Sequence, residues 1–244
     1  MERNYTIPIN EAFEAGLEDK KCGCPICSLY RMLEENELDL VLGASMMEPD
    51  VRIRTNQEGF CKTHYDMLLN MKNRLSMALT LESHLDTLKK DLSPNLLASL
   101  FSKPEARVDK LEGSCYICGR VEYHFERIIE TIIALWKDES DFAKKYEGQP
   151  YFCLPHYRAL LEAGKKGLNK RDYRDFEEIT GRIVKDYLEE LAGDVSWFCR
   201  KYDYRYENEP WYNAKDSVER AVIFLRSDLH RSQKDKPRNM GGMS

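Results

Sequence analysis

Over most of the chain the apolar residues return every three or four positions, the period of a helix packed on one side. Leu29, Leu33, Leu38, Val41 and Leu42 fall near one helix face, with Glu34, Glu35, Glu37 and Asp39 mostly on the other, which predicts a solvated acidic face. Leu68, Met71, Leu75, Leu79, Leu85, Leu88 and Leu92 predict one long helix from Lys62 to about Asp91, closed by Ser93-Pro94. His84 stands alone on it and is assigned no role. The stripe of Val121, Phe125, Ile128, Ile129, Ile132, Ile133, Leu135 and Trp136 is more apolar, so its helix is expected to be more central.

After His156 a short helix is expected, interrupted by Gly164-Lys165-Lys166-Gly167. Asn169 then caps a long helix, with Asp172 in the third position and Leu168 placed to staple onto Tyr173. Its stripe of Tyr173, Phe176, Ile183, Tyr187, Leu191, Phe198 and Tyr202 meets no proline before Pro210, so the helix is expected to reach about Glu207, with Cys199 a buried thiol beside the stripe. Tyr202-Asp203-Tyr204-Arg205-Tyr206 is read as helix packing in preference to a base-stacking platform. A last helix over 214–229 groups Val218, Ala221, Val222 and Leu225.

At the start, Pro8 and its β-branched neighbours keep 5–10 extended, Asn10 caps, and a short helix over 11–19 lays Phe13 and Leu17 on the body. Residues 43–59 read as an irregular excursion broken by Pro49, Asn56 and Gly59, with Val51-Arg52-Ile53-Arg54 as a short strand. The fold class is all-α.

The cysteines add a second level of order. Cys24-Pro25-Ile26-Cys27 is followed by Phe60-Cys61-Lys62-Thr63-His64-Tyr65, and Cys115-Tyr116-Ile117-Cys118 by Phe152-Cys153-Leu154-Pro155-His156-Tyr157. The stretches between, 28–60 and 119–152, are 33 and 34 residues long. Phe60 matches Phe152, Tyr65 matches Tyr157, Leu68 matches Leu160 and Leu69 matches Leu161, which makes this an internal duplication.

Three thiolates and a neutral imidazole complete the tetrahedral shell that Zn²⁺ favours, so two zinc ions per chain are expected. The ligands are Cys24, Cys27, Cys61 and His64 in one copy and Cys115, Cys118, Cys153 and His156 in the other. Equal loop lengths favour closure within each copy, although a swap joining Cys24 and Cys27 to Cys153 and His156 has the same ligand count. The domain plan is a first zinc-stapled repeat over 1–92, a connector over 93–113 with a helical turn at 95–101, a second repeat over 114–168, C-terminal helices over 169–229 and a disordered tail over 230–244. His124, close to Cys118, is a weaker alternative ligand because four are already present.

Other chemistry at these residues stays open. Cys24 and Cys27 enclose a proline, as thioredoxin-type dithiols do, but no βαβ pattern surrounds them. Three thiolates and a histidine also suit iron or an iron–sulfur cluster. Cys22 is read as a spare or labile thiol, and a redox or metal-responsive role would use Cys22, Cys24 and Cys27.

Composition narrows the classes. The 244 residues are 42% hydrophobic and 32% charged, with a formal charge of −5, which suits a folded helical protein and argues against an extended phosphate-tracking surface. Lys165, Lys166, Lys170, Arg171 and Arg174 form a local basic segment, a weak nucleic-acid candidate. No apolar run approaches the roughly eighteen residues of a membrane span, and the first residues lack a secretion signal, so a cytoplasmic address is expected. Catalytic motifs such as a phosphate loop, a nucleophile elbow or a His-Glu-x-x-His helix do not occur.

Ile7-Pro8-Ile9-Asn10-Glu11-Ala12-Phe13, Cys24-Pro25-Ile26-Cys27, the two Phe-Cys-x-x-His-Tyr elements and Glu209-Pro210-Trp211 together resemble an uncharacterised family of cytoplasmic helical proteins from Gram-positive bacteria. The resemblance covers nearly the whole chain and implies the architecture without an activity. The expected function is that of a zinc-binding, non-enzymatic interaction or scaffold protein with an unidentified protein partner.

Overall fold

The structure, a computed structural model, describes residues 5–19, 22–43, 47–92 and 104–229. Among them it is all-helical, with eleven α-helices and no strand. In order these are α1 (Thr6–Glu18), α2 (Pro25–Leu42), α3 (Pro49–Glu58), α4 (Lys62–Asn70), α5 (Arg74–Asp91), α6 (Pro104–Glu112), α7 (Tyr116–Asp138), α8 (Ser140–Glu147), α9 (Leu154–Gly167), α10 (Lys170–Arg200) and α11 (Ser217–Arg226). The helical turn expected at 95–101 and the tail over 230–244 lie outside the described residues. No described helix is long and apolar enough to cross a membrane.

The chain divides into two units, and the division falls inside α2 and α7. The first unit takes Met1–Arg31 with Phe125–Leu229. Its core is aromatic: Phe13, Phe142, Tyr146, Phe152 and Phe176 are all at most 1% exposed. Ring centroids lie 5.0 Å apart for Phe13 and Phe142, 5.0 Å for Tyr146 and Phe152, and 5.4 Å for Tyr146 and Phe176. The one polar group carried into this cluster, the Tyr146 hydroxyl, shares a 2.8 Å hydrogen bond with Thr180 Oγ1, which spares it the cost of burial without a partner.

Gly164 explains how α9 and α10 approach each other. A Cβ there would lie 2.9 Å from the Phe176 ring, so glycine at this point is a packing requirement and α9 continues through it to Gly167. The interruption expected at 164–167 does not occur. Asn169 caps α10 as expected, its side chain accepting from the amides of Arg171 and Asp172 at 3.0 Å.

α10 ends at Arg200, short of Glu207. Lys201 stops it: its ammonium donates to the carbonyls of Tyr206, Glu207 and Glu209 at 2.7–2.8 Å, folding the following loop back on itself. Cys199 is exposed, not buried, and Tyr202 and Tyr204 are also exposed. In α11 the buried side chains are Ser217 and Phe224, whereas Val218, Val222 and Leu225, expected inward, face solvent. Phe224 is the residue with rings to meet, those of Tyr187 and Tyr151.

α1 starts earlier than expected, at Thr6, because a proline in the first turn gives up no intrahelical bond. Asn10 is therefore inside the helix, donating to the Thr6 carbonyl at 3.0 Å. Phe13 is fully buried but Leu17 is 43% exposed.

The second unit, Met32–His124 among the described residues, packs α5 on α3 and α4, and α6 on α3. The expected strand at 51–54 is part of α3, since Pro49 at its first turn and Asp50 beside it are both helix starters. Gly59 ends it at φ 62°, a left-handed conformation that favours glycine. The single helix expected from Lys62 to Asp91 is broken in two: Lys72 takes φ 63° and the Asn73 side chain caps α5 by accepting from the Ser76 amide at 3.2 Å. His84 is buried, with Nδ1 3.0 Å from the Asn56 carbonyl near the end of α3, so its role is structural.

Candidate metal sites

The four Cys-x-x-Cys and Cys-x-x-His elements sit in one local setting, a helix start. Cys24 precedes α2 and Cys115 precedes α7, while Cys61 and Cys153 are the N-caps of α4 and α9. Histidine follows three residues after each capping cysteine, in the first turn. Helix starts carry free amides and the positive end of the backbone dipole, which favours thiolate at these positions.

Two groups of four cysteine and histidine side chains form, and each draws on both of the expected copies. One joins Cys24 and Cys27 to Cys153 and His156; the other joins Cys61 and His64 to Cys115 and Cys118. Within each group all ligand atoms lie within 4.8 Å of one another, so each could hold a metal ion. Closure within a copy, expected from the equal loops, is overturned. Loop length alone does not decide the pairing: the stretches between the halves are mostly rigid helix, α2 and α3 in the first and α7 and α8 in the second, and do not close as flexible loops would.

We call the first group site A and the second site B. In site A, His156 Nδ1 lies 3.6, 3.4 and 3.1 Å from the sulfurs of Cys24, Cys27 and Cys153, and the last two sulfurs are 3.7 Å apart. All four residues are buried. In site B, His64 Nδ1 lies 3.2, 3.2 and 3.4 Å from the sulfurs of Cys61, Cys115 and Cys118, and Cys61 and Cys118 sulfurs are 3.9 Å apart. Here His64 is buried, but Cys61 and Cys118 are partly exposed.

The two histidines have different neighbours, and the sequence pattern placed one of these elsewhere. Glu34, expected on a solvated face, is 2% exposed, and its Oε1 lies 3.0 Å from His64 Nε2. Glu37, also buried, pairs with Arg120 at 3.0 Å and has His124 Nε2 at 3.7 Å, so His124 belongs to neither ligand group. The residue behind His156 is Phe125, ring centroids 5.5 Å apart. Glu34 follows Cys27 by seven residues and Phe125 follows Cys118 by seven, so the matched offsets carried a signal: the apolar stripe places Phe125 inward, and the residue at the same offset is Glu34.

Crowding of ligands in the metal-free site splits their proton affinities. In site A burial pushes the Cys24 thiol up, but hydrogen bonds from Cys153, Cys27 and His156 overcome this and hold it well below the usual thiol range. Cys27, bonded to Cys153 and Cys24, is pushed up, as is Cys153 by Cys24. In site B burial opposes the charge on His64, yet its bonds to Cys115 and Glu34 raise it to about 10. Burial likewise disfavours the Cys115 thiolate, and His64 still brings it down to about 6, while burial and the Cys115 charge raise Cys118.

The sign of the pH effect follows. A charged His64 stabilises the metal-free fold fully below its unfolded value near 6.5, and that contribution is lost as pH rises through about 10. A metal ion needs the opposite, a bare Nδ1 and three thiolates. At neutral pH an ion entering site B would displace protons from His64 and Cys118, and one entering site A would displace those of Cys27 and Cys153. Calorimetry in buffers of different ionisation enthalpy is expected to show net proton release as the ion is taken up, with affinity falling on acidification.

Searches of the curated proteins and of the solved structures return no match. A family model does match, and nearly end to end: over residues 1–232 it is that of the Family of unknown function (DUF6062), and the chain belongs to this family.

Proposed function

We propose that the protein is a zinc-binding helical module whose two ions are structural and which acts through contacts with another protein. The observation that carries this is the complete ligand set at each site, three cysteine sulfurs and one histidine nitrogen, with no position left for a substrate. The spacing suits zinc. A tetrahedron with Zn–S of about 2.3 Å and Zn–N of about 2.0–2.1 Å has S···S edges near 3.8 Å and S···N edges near 3.5 Å. The two sulfur pairs at 3.7 and 3.9 Å, and the sulfur–nitrogen distances of 3.1–3.6 Å, lie close to those edges.

Other features support contact over catalysis. Val218, Val222 and Leu225 present an exposed apolar face of α11, and Tyr202, Tyr204 and Tyr212 are exposed on or beside the loop after α10. Cys24 and Cys27 are each 1% exposed, which denies an attacking dithiol the access it needs. The basic residues Lys165, Lys166, Lys170, Arg171 and Arg174 are exposed, but they belong to a chain with a formal charge of −5.

The test is metal counting. Native mass spectrometry of the protein as isolated, with elemental analysis, is expected to find two zinc ions per chain. A folded preparation free of metal, or one loaded with iron, refutes the proposal.

A further inference from the structure

The two sites share a ligand set and a plan but differ in two respects that bear on metal exchange. The first is access. In site A the three cysteines are at most 1% exposed and His156 is 3% exposed, whereas Cys61 and Cys118 of site B reach the surface and Cys115 is 9% exposed. Zinc has no preferred geometry to defend, so a fourth ligand is replaced when a competing donor can reach the ion. Such a donor reaches site B directly and site A only after the aromatic core around Phe152 has opened.

The second difference is the group behind the histidine. Glu34 Oε1 lies 3.0 Å from Nε2 of His64, a hydrogen bond that holds the ring with Nδ1 facing the three sulfurs. Phe125 gives His156 a packing neighbour and no such bond. Site B is thus both reachable and kept in order for reloading; site A is sealed.

We propose that site B is the exchangeable metal site, giving its ion to and taking it from a thiol-bearing partner, and that site A holds its ion for the life of the fold. This rests on the zinc reading above. In the exchange a bond from the partner's sulfur to the metal replaces the bond from Cys118 or Cys61, and the proton lost by the incoming thiol passes to the departing thiolate. No electron is transferred. Glu34 is a positioning residue, acting through His64.

The experiment starts from the intact chain purified under reducing conditions, with its zinc counted first. Excess 4-(2-pyridylazo)resorcinol is then added and metal release is followed by absorbance. Two phases of equal amplitude are expected, with the fast one lost in Cys118→Ser. Glu34→Gln is expected to speed the fast phase by about tenfold or more and leave the slow phase unchanged. A single phase for both ions, or a fast phase that survives Cys118→Ser, overturns the proposal. Should that variant fail to fold, brief alkylation of the unaltered protein decides: Cys61 and Cys118 must react before Cys24, Cys27 and Cys153, and the reverse order refutes it. A chain found without metal at the initial count brings down the zinc reading as well, and so is distinguishable from failure of the exchange proposal alone.

Discussion

Cys153→Ser is expected to abolish cooperative folding of the first unit. Its sulfur closes a site whose other half, Cys24 and Cys27, lies more than 120 residues earlier in the chain. Structural zinc of this ligand type contributes on the order of 10–16 kcal/mol apparent at neutral pH. Whole domains are stable by about 5–15 kcal/mol, so losing one thiolate removes an amount comparable with the entire margin. A cross-link spanning a loop of this size also constrains the unfolded chain by about 5 kcal/mol on a chain-entropy estimate. Urea unfolding followed by circular dichroism is the measurement. Cys22→Ser is the control, because Cys22 is exposed and outside both ligand groups, and its midpoint is expected to stay in place. If Cys153→Ser melts where Cys22→Ser does, site A is no staple.

The second large effect is expected from Phe13→Ala, a loss of about 3–5 kcal/mol. Phe13 is completely buried, and its ring lies 5.0 Å from Phe142, 5.9 Å from Tyr146 and 6.2 Å from Phe152. These three rings come from α8 and the segment before α9, and none can follow a shortened side chain without leaving its own contacts. The cavity should remain open, which puts the cost at the upper part of the range. Phe152 adjoins Cys153, so the same change should also hasten metal loss from site A. Leu17→Ala, on the same helix but 43% exposed, is expected to shift stability by less than about 0.5 kcal/mol. Equal effects from the two substitutions would show that α1 is not anchored through Phe13.

Glu34 shows where reading the chain as a set of helix faces breaks down. Its charge placed it outside, yet the histidine it meets is thirty residues further along, and no local period reports that partner. A buried carboxylate is tolerable only when hydrogen-bonded, and the ring nitrogen of a metal-type histidine is such a partner. Val218, Val222 and Leu225 err in the other direction: they form a proper apolar stripe, but the rings of Tyr151 and Tyr187 are on the side of Phe224. In both cases periodicity identified a helix and tertiary contact chose the face.

Several boundaries failed for local reasons that were visible only in part. Gly164 read as a breaker because glycine is costly inside a helix, and it is retained there because Phe176 leaves no room for a Cβ. Lys72 gives no sign of a left-handed turn, while Asn73 does resemble a cap. Pro8 suggested an extended lead-in and is instead accommodated in the first turn of α1.

The sequence by itself determined that the chain is helical, and it marked eight cysteine and histidine side chains as candidate ligands, because period and ligand chemistry are local properties. Only the tertiary structure decided which ligands meet. Two intervening stretches of nearly equal length allowed closure within each half of the sequence, but those stretches fold into rigid helices, α2 with α3 and α7 with α8, and do not close as flexible loops would. Each Cys-x-x-Cys pair meets the Cys-x-x-His pair from the other half of the sequence, and with that pairing comes the difference between Glu34 and Phe125 that sets the two sites apart.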